Sequence, residues 1–116
     1  MKKINVAVTG CMGRMGQQII KSIKLDNNFK LVALTENRKI NKKINGIKID
    51  ANTDIAFKNS NLIIDFTIPK CTFQILEIAS RLKKRVVIGT TGFTKKEENE
   101  ITKKKEKSNK IPPTTK

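Results

Sequence analysis

The sequence predicts an α/β fold built on a doubly wound parallel sheet in a single domain. Three observations carry that prediction. From Ile4 to Gly89, short apolar runs alternate with segments of helical period, the pattern of successive βαβ units. One run, Asn61 to Phe66, is almost continuously apolar, as a strand covered on both faces of a parallel sheet has to be. The first strand also passes through a glycine-rich turn, Gly10-Cys11-Met12-Gly13-Arg14-Met15-Gly16, directly into a helix pattern.

Taken in order, the first strand is the apolar run Ile4 to Val8. In the turn after it, Gly10 permits the tight reversal, Gly13 lets a ligand approach the backbone, and Gly16 lets the helix pack against the strand. The unpaired N–H groups and positive dipole end of the helix then face an anion, which makes the junction a phosphate cradle. The spacing is GxxGxxG rather than GxGxxG, so a junction that uses glycine for geometry alone is the plainer alternative. The helix fades near Leu25 to Asn28, and Phe29 to Leu34 forms a second strand ending at Thr35-Glu36. Asn37 to Asp50, rich in Lys and Asn, reads as a surface connection holding a short edge strand at Ile47-Lys48-Ile49. Thr53 to Phe57 suggests a short helix capped by Asn52 or Thr53. After the strand at 61–66, Pro69 opens a helix in which Phe73, Leu76, Ala79 and Leu82 recur beside Ile75. Arg85 to Gly89 is the next strand. This order sets Gly10, Glu36, Asp65 and Gly89 at the carboxyl ends of separate strands, where open parallel sheets bind ligands.

Downstream the character changes. Thr94-Lys95-Lys96-Glu97 forms a capping box that starts a helix, but Ile101 is its one clearly apolar residue before Lys110. A helix with so little to bury is weakly held. Ile111 to Lys116 adds no strand. Residues 1–93 therefore read as the folded domain and 94–116 as a polar, weakly ordered segment.

The 116 residues suffice for one hydrophobic core. No apolar run of membrane-spanning length occurs, so no membrane partner is expected. Two cysteines, Cys11 and Cys71, without a CxxC pair support neither a disulfide framework nor a zinc site, and fit a reducing cytoplasm. The absence of histidine removes the usual acid–base group near neutral pH. The net charge of +15 raises the question of nucleic acid. Dispersed lysines, abundant Asn and Ile, and the lack of Tyr and Trp for base stacking favour compositional drift instead.

Glu36, at the end of the second strand, is placed to accept hydrogen bonds from the ribose hydroxyls of an adenosine. Without the glycine turn it would read as an exposed turn carboxylate. Arg38 could pair with a 2′-phosphate, although a chain this basic supplies such an arginine by chance. Asp65-Phe66-Thr67-Ile68-Pro69 and Gly89-Thr90-Thr91-Gly92-Phe93 occupy strand-to-helix turns whose amides and hydroxyls can hold a nicotinamide ribose or carboxamide. Singly, they read as a helix cap and a flexible turn. Cys11 and Cys71 are small apolar residues, with a reactive thiol at Cys11 beside the helix N-terminus as the alternative.

Together GCMGRMG at 10–16, TEN at 35–37, DFTIP at 65–69 and GTTGF at 89–93 resemble the amino-terminal domain of the 4-hydroxy-tetrahydrodipicolinate reductase family. This family acts in bacterial lysine and diaminopimelate synthesis. The resemblance runs from about Lys3 to Phe93. It implies a Rossmann-like domain that binds NADH or NADPH, with Gly10, Cys11, Met12, Gly13, Arg14 and Met15 around the pyrophosphate. Glu36 would then hold the adenosine ribose, and Phe66, Thr67, Gly89, Thr90 and Thr91 would meet the nicotinamide side. Asn37 stands where some relatives carry an arginine, which leaves the choice between the two cofactors open. In the family a further strand ends in Ala-Pro-Asn or Ala-Ala-Asn, whereas here Ile111 to Lys116 ends the match. The family's substrate domain, with its His-His…Lys stretch and tetramer interface, has no counterpart in these residues. The resemblance thus implies a single incomplete domain without catalytic residues, meeting a small-molecule substrate only if that domain is supplied. A stand-alone dinucleotide-binding module and a basic nucleic-acid-binding protein are the alternatives.

Overall fold

The computed structural model describes residues 2–90 and 94–108, with side chains up to residue 103. Along the chain run β1 (Ile4–Thr9), α1 (Arg14–Leu25), β2 (Phe29–Glu36), β3 (Ile40–Ile44) and β4 (Ile47–Ala51). They are followed by α2 (Asp54–Phe57), β5 (Leu62–Asp65), α3 (Pro69–Leu82), β6 (Arg85–Ile88) and α4 (Lys95–Ser108). The six strands form one sheet in the order β3-β4-β2-β1-β5-β6. Every neighbouring pair is parallel except β3 with β4. From β1 the chain winds outward to β2 and β4, then returns to β5 on the other side of β1. The switch of direction falls between β1 and β5, so the crevice above their carboxyl ends is where such a sheet takes a ligand.

Two cores follow from the period-two alternation of the strands. Val6 and Val8 of β1 point to the α1 side, where they meet Ile20, Ile23, Leu34 and Ile49. Ala7 and Ile63 point to the other side, against Phe57, Ile75, Leu76, Ala79 and Val86. Ile101 of α4 joins this second core, so the polar helix has one apolar anchor, and that anchor is buried. The capping box at its start is formed: Glu97 N–H donates to Thr94 Oγ1 at 3.1 Å and Thr94 N–H to Glu97 Oε1 at 2.8 Å.

The α3 stripe behaves as its spacing predicts. Ile75, Leu76 and Ala79 are buried and Phe73 and Leu82 partly so. Pro69 occupies the opening turn, and Lys83 (φ 57°) ends the helix in the left-handed region. Of the two candidate caps for α2, Thr53 serves: its Oγ1 accepts from Ala56 N–H at 3.2 Å. An exposed ion pair between Arg81 and Asp54, 2.7 Å apart, links α2 to α3.

The segment 37–50 corrects the expectation of a surface connection with one short strand. It is a β-hairpin, β3–β4, turned by Asn45 (φ 52°) and Gly46 (φ 79°), both left-handed as a two-residue hairpin turn requires. Ile40, Ile44, Ile47 and Ile49 lay one apolar face onto the α1-side core. The intervening lysines point to water and hide that alternation.

Candidate functional site

The glycine turn is shaped by two glycines that have no room for a side chain. A Cβ on Gly10 (φ +71°) would lie 2.2 Å from the Phe66 carbonyl oxygen, and one on Gly16 would lie 2.2 Å from the Gly10 carbonyl oxygen. Gly16 thus packs on the turn itself rather than on the strand, which corrects the expected partner. Gly13 differs from both. A Cβ there would be 3.4 Å from its nearest neighbour, and the residue is exposed, so its bare backbone opens toward solvent.

The turn's own amides are committed. Gly10 and Cys11 N–H donate to the Thr35 carbonyl at 3.0 and 3.3 Å, and Gly13 N–H to the Gly10 carbonyl at 3.1 Å. Met12 N–H donates to Glu36 Oε2 at 2.7 Å, which pins the half-buried carboxylate against the turn. The N-cap of α1 is Gly13, which has no side chain to cap the first-turn N–H groups that begin at Arg14. Those N–H groups, with the helix dipole behind them, are the donors placed to receive an anion.

Asp65, fully buried at the end of β5, is the centre of the opposite wall. Its Oδ1 accepts from Thr9 Oγ1 at 2.7 Å and Thr67 Oγ1 at 2.6 Å. Its Oδ2 accepts from Thr72 Oγ1 and, at 3.2 Å, from Thr90 Oγ1. Thr67 N–H donates to Thr90 Oγ1 at 2.9 Å, and Gly89 N–H to the Asp65 carbonyl at 2.7 Å. One carboxylate therefore ties the ends of β1 and β5, the start of α3 and the loop after β6. It does not cap α3, whose N-cap is Ile68 without a side-chain bond. The Phe66 ring lies on Gly89, where a Cβ would come within 2.0 Å of Phe66 Cε1.

An open cleft of about 280 Å³ lies between the two walls, lined by Gly13, Arg14, Met15, Gly16, Phe66, Thr67, Gly89 and Thr90. Three separate segments of the sequence meet there. Gly10, Cys11, Met12 and Glu36 are not among the residues that line the cleft. Thr91, like Gly92 and Phe93, lies outside the described residues. Arg38 is exposed beyond the end of β2. The reactive-thiol alternative for Cys11 is corrected: its side chain is buried, and burial first, then the Glu36 charge, push the thiol up to about 11. Cys71 is raised likewise, chiefly by burial and then by the Asp65 charge. The sequence places Asp65 on the ligand-binding rim but does not show it as the residue that ties the rim together. The available signal was a threonine beside the carboxyl end of β1, β5 and β6 and another in the first turn of α3. Among the described residues, no group of His, Cys, Asp and Glu could hold a metal, and no helix is long and apolar enough to cross a membrane.

Fold and cleft define a class: a Rossmann-like α/β domain with a glycine-rich turn at its switch point. The chain belongs to the family described as dihydrodipicolinate reductase, N-terminus, which matches residues 4–113. That match reaches beyond Phe93, where the resemblance was expected to end, and takes in α4. The chain is 67% identical over 103 residues to the 4-hydroxy-tetrahydrodipicolinate reductase of Pelagibacter ubique (strain HTCC1062), covering 89% of this chain and 40% of the relative. It is 41% identical over 108 residues to the enzyme of the same name from Buchnera aphidicola subsp. Schizaphis graminum (strain Sg), covering 83% and 40%. It thus spans about two-fifths of the length of these relatives. Among solved structures, a dipicolinate-bound dihydrodipicolinate reductase from Paenisporosarcina sp. TG-14 superposes with a TM-score of 0.75 at 24% identity, covering 92% of this chain and 44% of that one. A D-galactose-1-dehydrogenase from Rhizobium etli gives 0.74 at 21% identity, covering 93% and 35%. At such identities the superpositions speak for the fold.

Proposed function

We propose that the chain supplies the NAD(P)H-binding portion of a 4-hydroxy-tetrahydrodipicolinate reductase, which reduces 4-hydroxy-tetrahydrodipicolinate to tetrahydrodipicolinate in a cytoplasmic lysine and diaminopimelate route. The observation that carries this reading is the cleft at the switch point, with an uncapped helix N-terminus on one wall and a threonine-lined turn on the other. When bound, the reduced nicotinamide supplies a hydride. The rest is done by side chains and backbone of the protein. First-turn amides from Arg14 and Met15 hold the pyrophosphate, Gly13 gives it room, and Gly10, Cys11 and Met12 shape the turn. Glu36 keeps one carboxylate oxygen on Met12 N–H and offers the other to the adenosine ribose. Phe66, Thr67, Gly89, Thr90 and Thr91 meet the nicotinamide side. Arg38 is the cation available to a 2′-phosphate, which admits NADPH beside NADH. The proton donor and the grip on the substrate's carboxylates belong to the remainder of the reductase, as does its tetramer interface.

The test is a titration of NADH fluorescence with the 116-residue chain. Saturable enhancement is expected, displaced by ADP-ribose. If millimolar NADH changes neither the fluorescence nor the amide NMR signals of 10–16, 67 and 90, the reading is wrong.

A further inference from the structure

We infer that Asp65 fixes the hydrogen-bond polarity of the cleft, so that Thr67 and Thr90 accept from a ligand and do not donate to it. The cleft would then select a primary carboxamide over the corresponding carboxylate. This rests on the cofactor reading above and adds a specificity-determining arrangement to it.

The argument is a count of protons and lone pairs. A carboxylate only accepts, and its two oxygens offer about four lone-pair sites. All four are taken by hydroxyls: Thr9 and Thr67 on Oδ1, Thr72 and Thr90 on Oδ2. A threonine hydroxyl has a single proton. Thr67 spends its proton at 2.6 Å on Asp65, far better placed than the Ile68 carbonyl at 3.3 Å. Thr90 gives its proton to Oδ2 and accepts Thr67 N–H at 2.9 Å, which leaves it one lone pair. Thr67 and Thr90 both line the cleft. What their hydroxyls present to it is therefore acceptor only, backed by a buried negative charge. A carboxamide NH₂ satisfies such a site. A carboxylate beside these two hydroxyls would face their lone pairs and stand near Asp65, with Arg14 as the one cation among the described residues that line the same cleft. Turning a hydroxyl to serve it would strip a buried carboxylate oxygen of a partner, which is the expensive outcome. Long-range charge works in the opposite sense, because the net charge of +15 favours the more anionic ligand. A preference for the amide is thus a local signature.

Calorimetry with NAD⁺, nicotinic acid adenine dinucleotide (the same molecule with a carboxylate in place of the carboxamide) and ADP-ribose tests this. The native chain is expected to bind NAD⁺ at least about tenfold more tightly than its acid analogue. Asp65→Asn, whose amide can donate, should bring that ratio to about threefold or less while ADP-ribose affinity stays within about twofold. Thr67→Val, alone and combined with Thr90→Val, keeps the Asp65 charge and removes first one and then both hydroxyl acceptors. NAD⁺ should weaken, the acid analogue should hold, and the ratio should again collapse. Equal binding of amide and acid by the native chain overturns the inference. So does a ratio that survives the loss of both hydroxyls, which would assign the preference to charge alone. ADP-ribose separates the failures: no binding of it or of NAD⁺ counts against the cofactor reading itself. Should Asp65→Asn lose its ordered amide spectrum, the valine variants decide alone.

Discussion

At the scale of single residues, the glycines of the turn do different work, and alanine separates them. Gly13→Ala has room for its methyl group, at 3.4 Å from the Gly10 carbonyl, and an extended backbone (φ −73°, ψ 167°) that alanine adopts freely. It should fold with a stability within about 0.5 kcal/mol of the native chain yet bind NADH at least tenfold less tightly, because the methyl group occupies the ligand's approach. Gly16→Ala drives its methyl group into backbone and should cost about 1–3 kcal/mol in urea denaturation. The reverse ranking would place the ligand elsewhere. Cys11 gives a pH prediction. Its thiol sits near 11 in the fold against an ordinary 9.0, so the fold favours the neutral form. That contribution is complete below pH 9.0 and is lost as pH rises toward about 11, because the unfolded chain ionises there while the folded one does not. Urea midpoints across that window should fall less steeply for Cys11→Ala than for the native chain. Most of the cleft lining is legible in the sequence, since Gly13 to Gly16, Phe66-Thr67 and Gly89-Thr90 lie in contiguous motifs. Asp65 as organiser was not legible, because its threonines stand 56, 2, 7 and 25 positions away and meet only after the crossovers close.

At the scale of elements, strands with strong apolar character and helices with marked caps were readable. β5 declared itself by its unbroken Leu62-Ile63-Ile64 run, and α3 by Pro69 and its buried stripe. β3 was hidden because Lys42 and Lys43 interrupt its isoleucines, although Asn45-Gly46 is itself a hairpin signal. α4 is the opposite case: its start was plain and its attachment was not, since among its described side chains one buried residue, Ile101, decides it. The attachment is testable. Thr94→Ala removes one arm of the capping box and should cost about 1 kcal/mol. Ile101→Ala should cost about 2–3 kcal/mol by emptying its place against α3. Hydrogen exchange reads both: amides of α4 should lose protection while those of β1 keep theirs until global unfolding. Equal loss in β1 would mean that α4 is no separate unit.

At the scale of the whole molecule, the balance of 25 Lys+Arg against 10 Asp+Glu surrounds the cleft with a field that draws in an anionic dinucleotide and fades with salt. Attraction is not catalysis. Hydride transfer needs donor and acceptor held about 3–3.5 Å apart in a defined orientation, with a proton delivered as the hydride arrives. The cleft is lined by glycines, Met15, Phe66, two threonines and Arg14, and the sequence contains no histidine. Binding and turnover should therefore come apart. A polypeptide of these 116 residues is expected to bind NADH saturably and yet leave its absorbance unchanged when 4-hydroxy-tetrahydrodipicolinate is added. Supplying the remaining portion of the Pelagibacter relative in trans should start oxidation of the bound cofactor. Glu36→Gln should then raise KM for NADH more than it lowers kcat, because the role proposed for Glu36 lies at the adenosine end, away from the transferred hydride. Substrate-dependent oxidation by the 116 residues alone, above the rate in buffer, would show that the chain holds a proton donor and a substrate grip in residues assigned here to the cofactor.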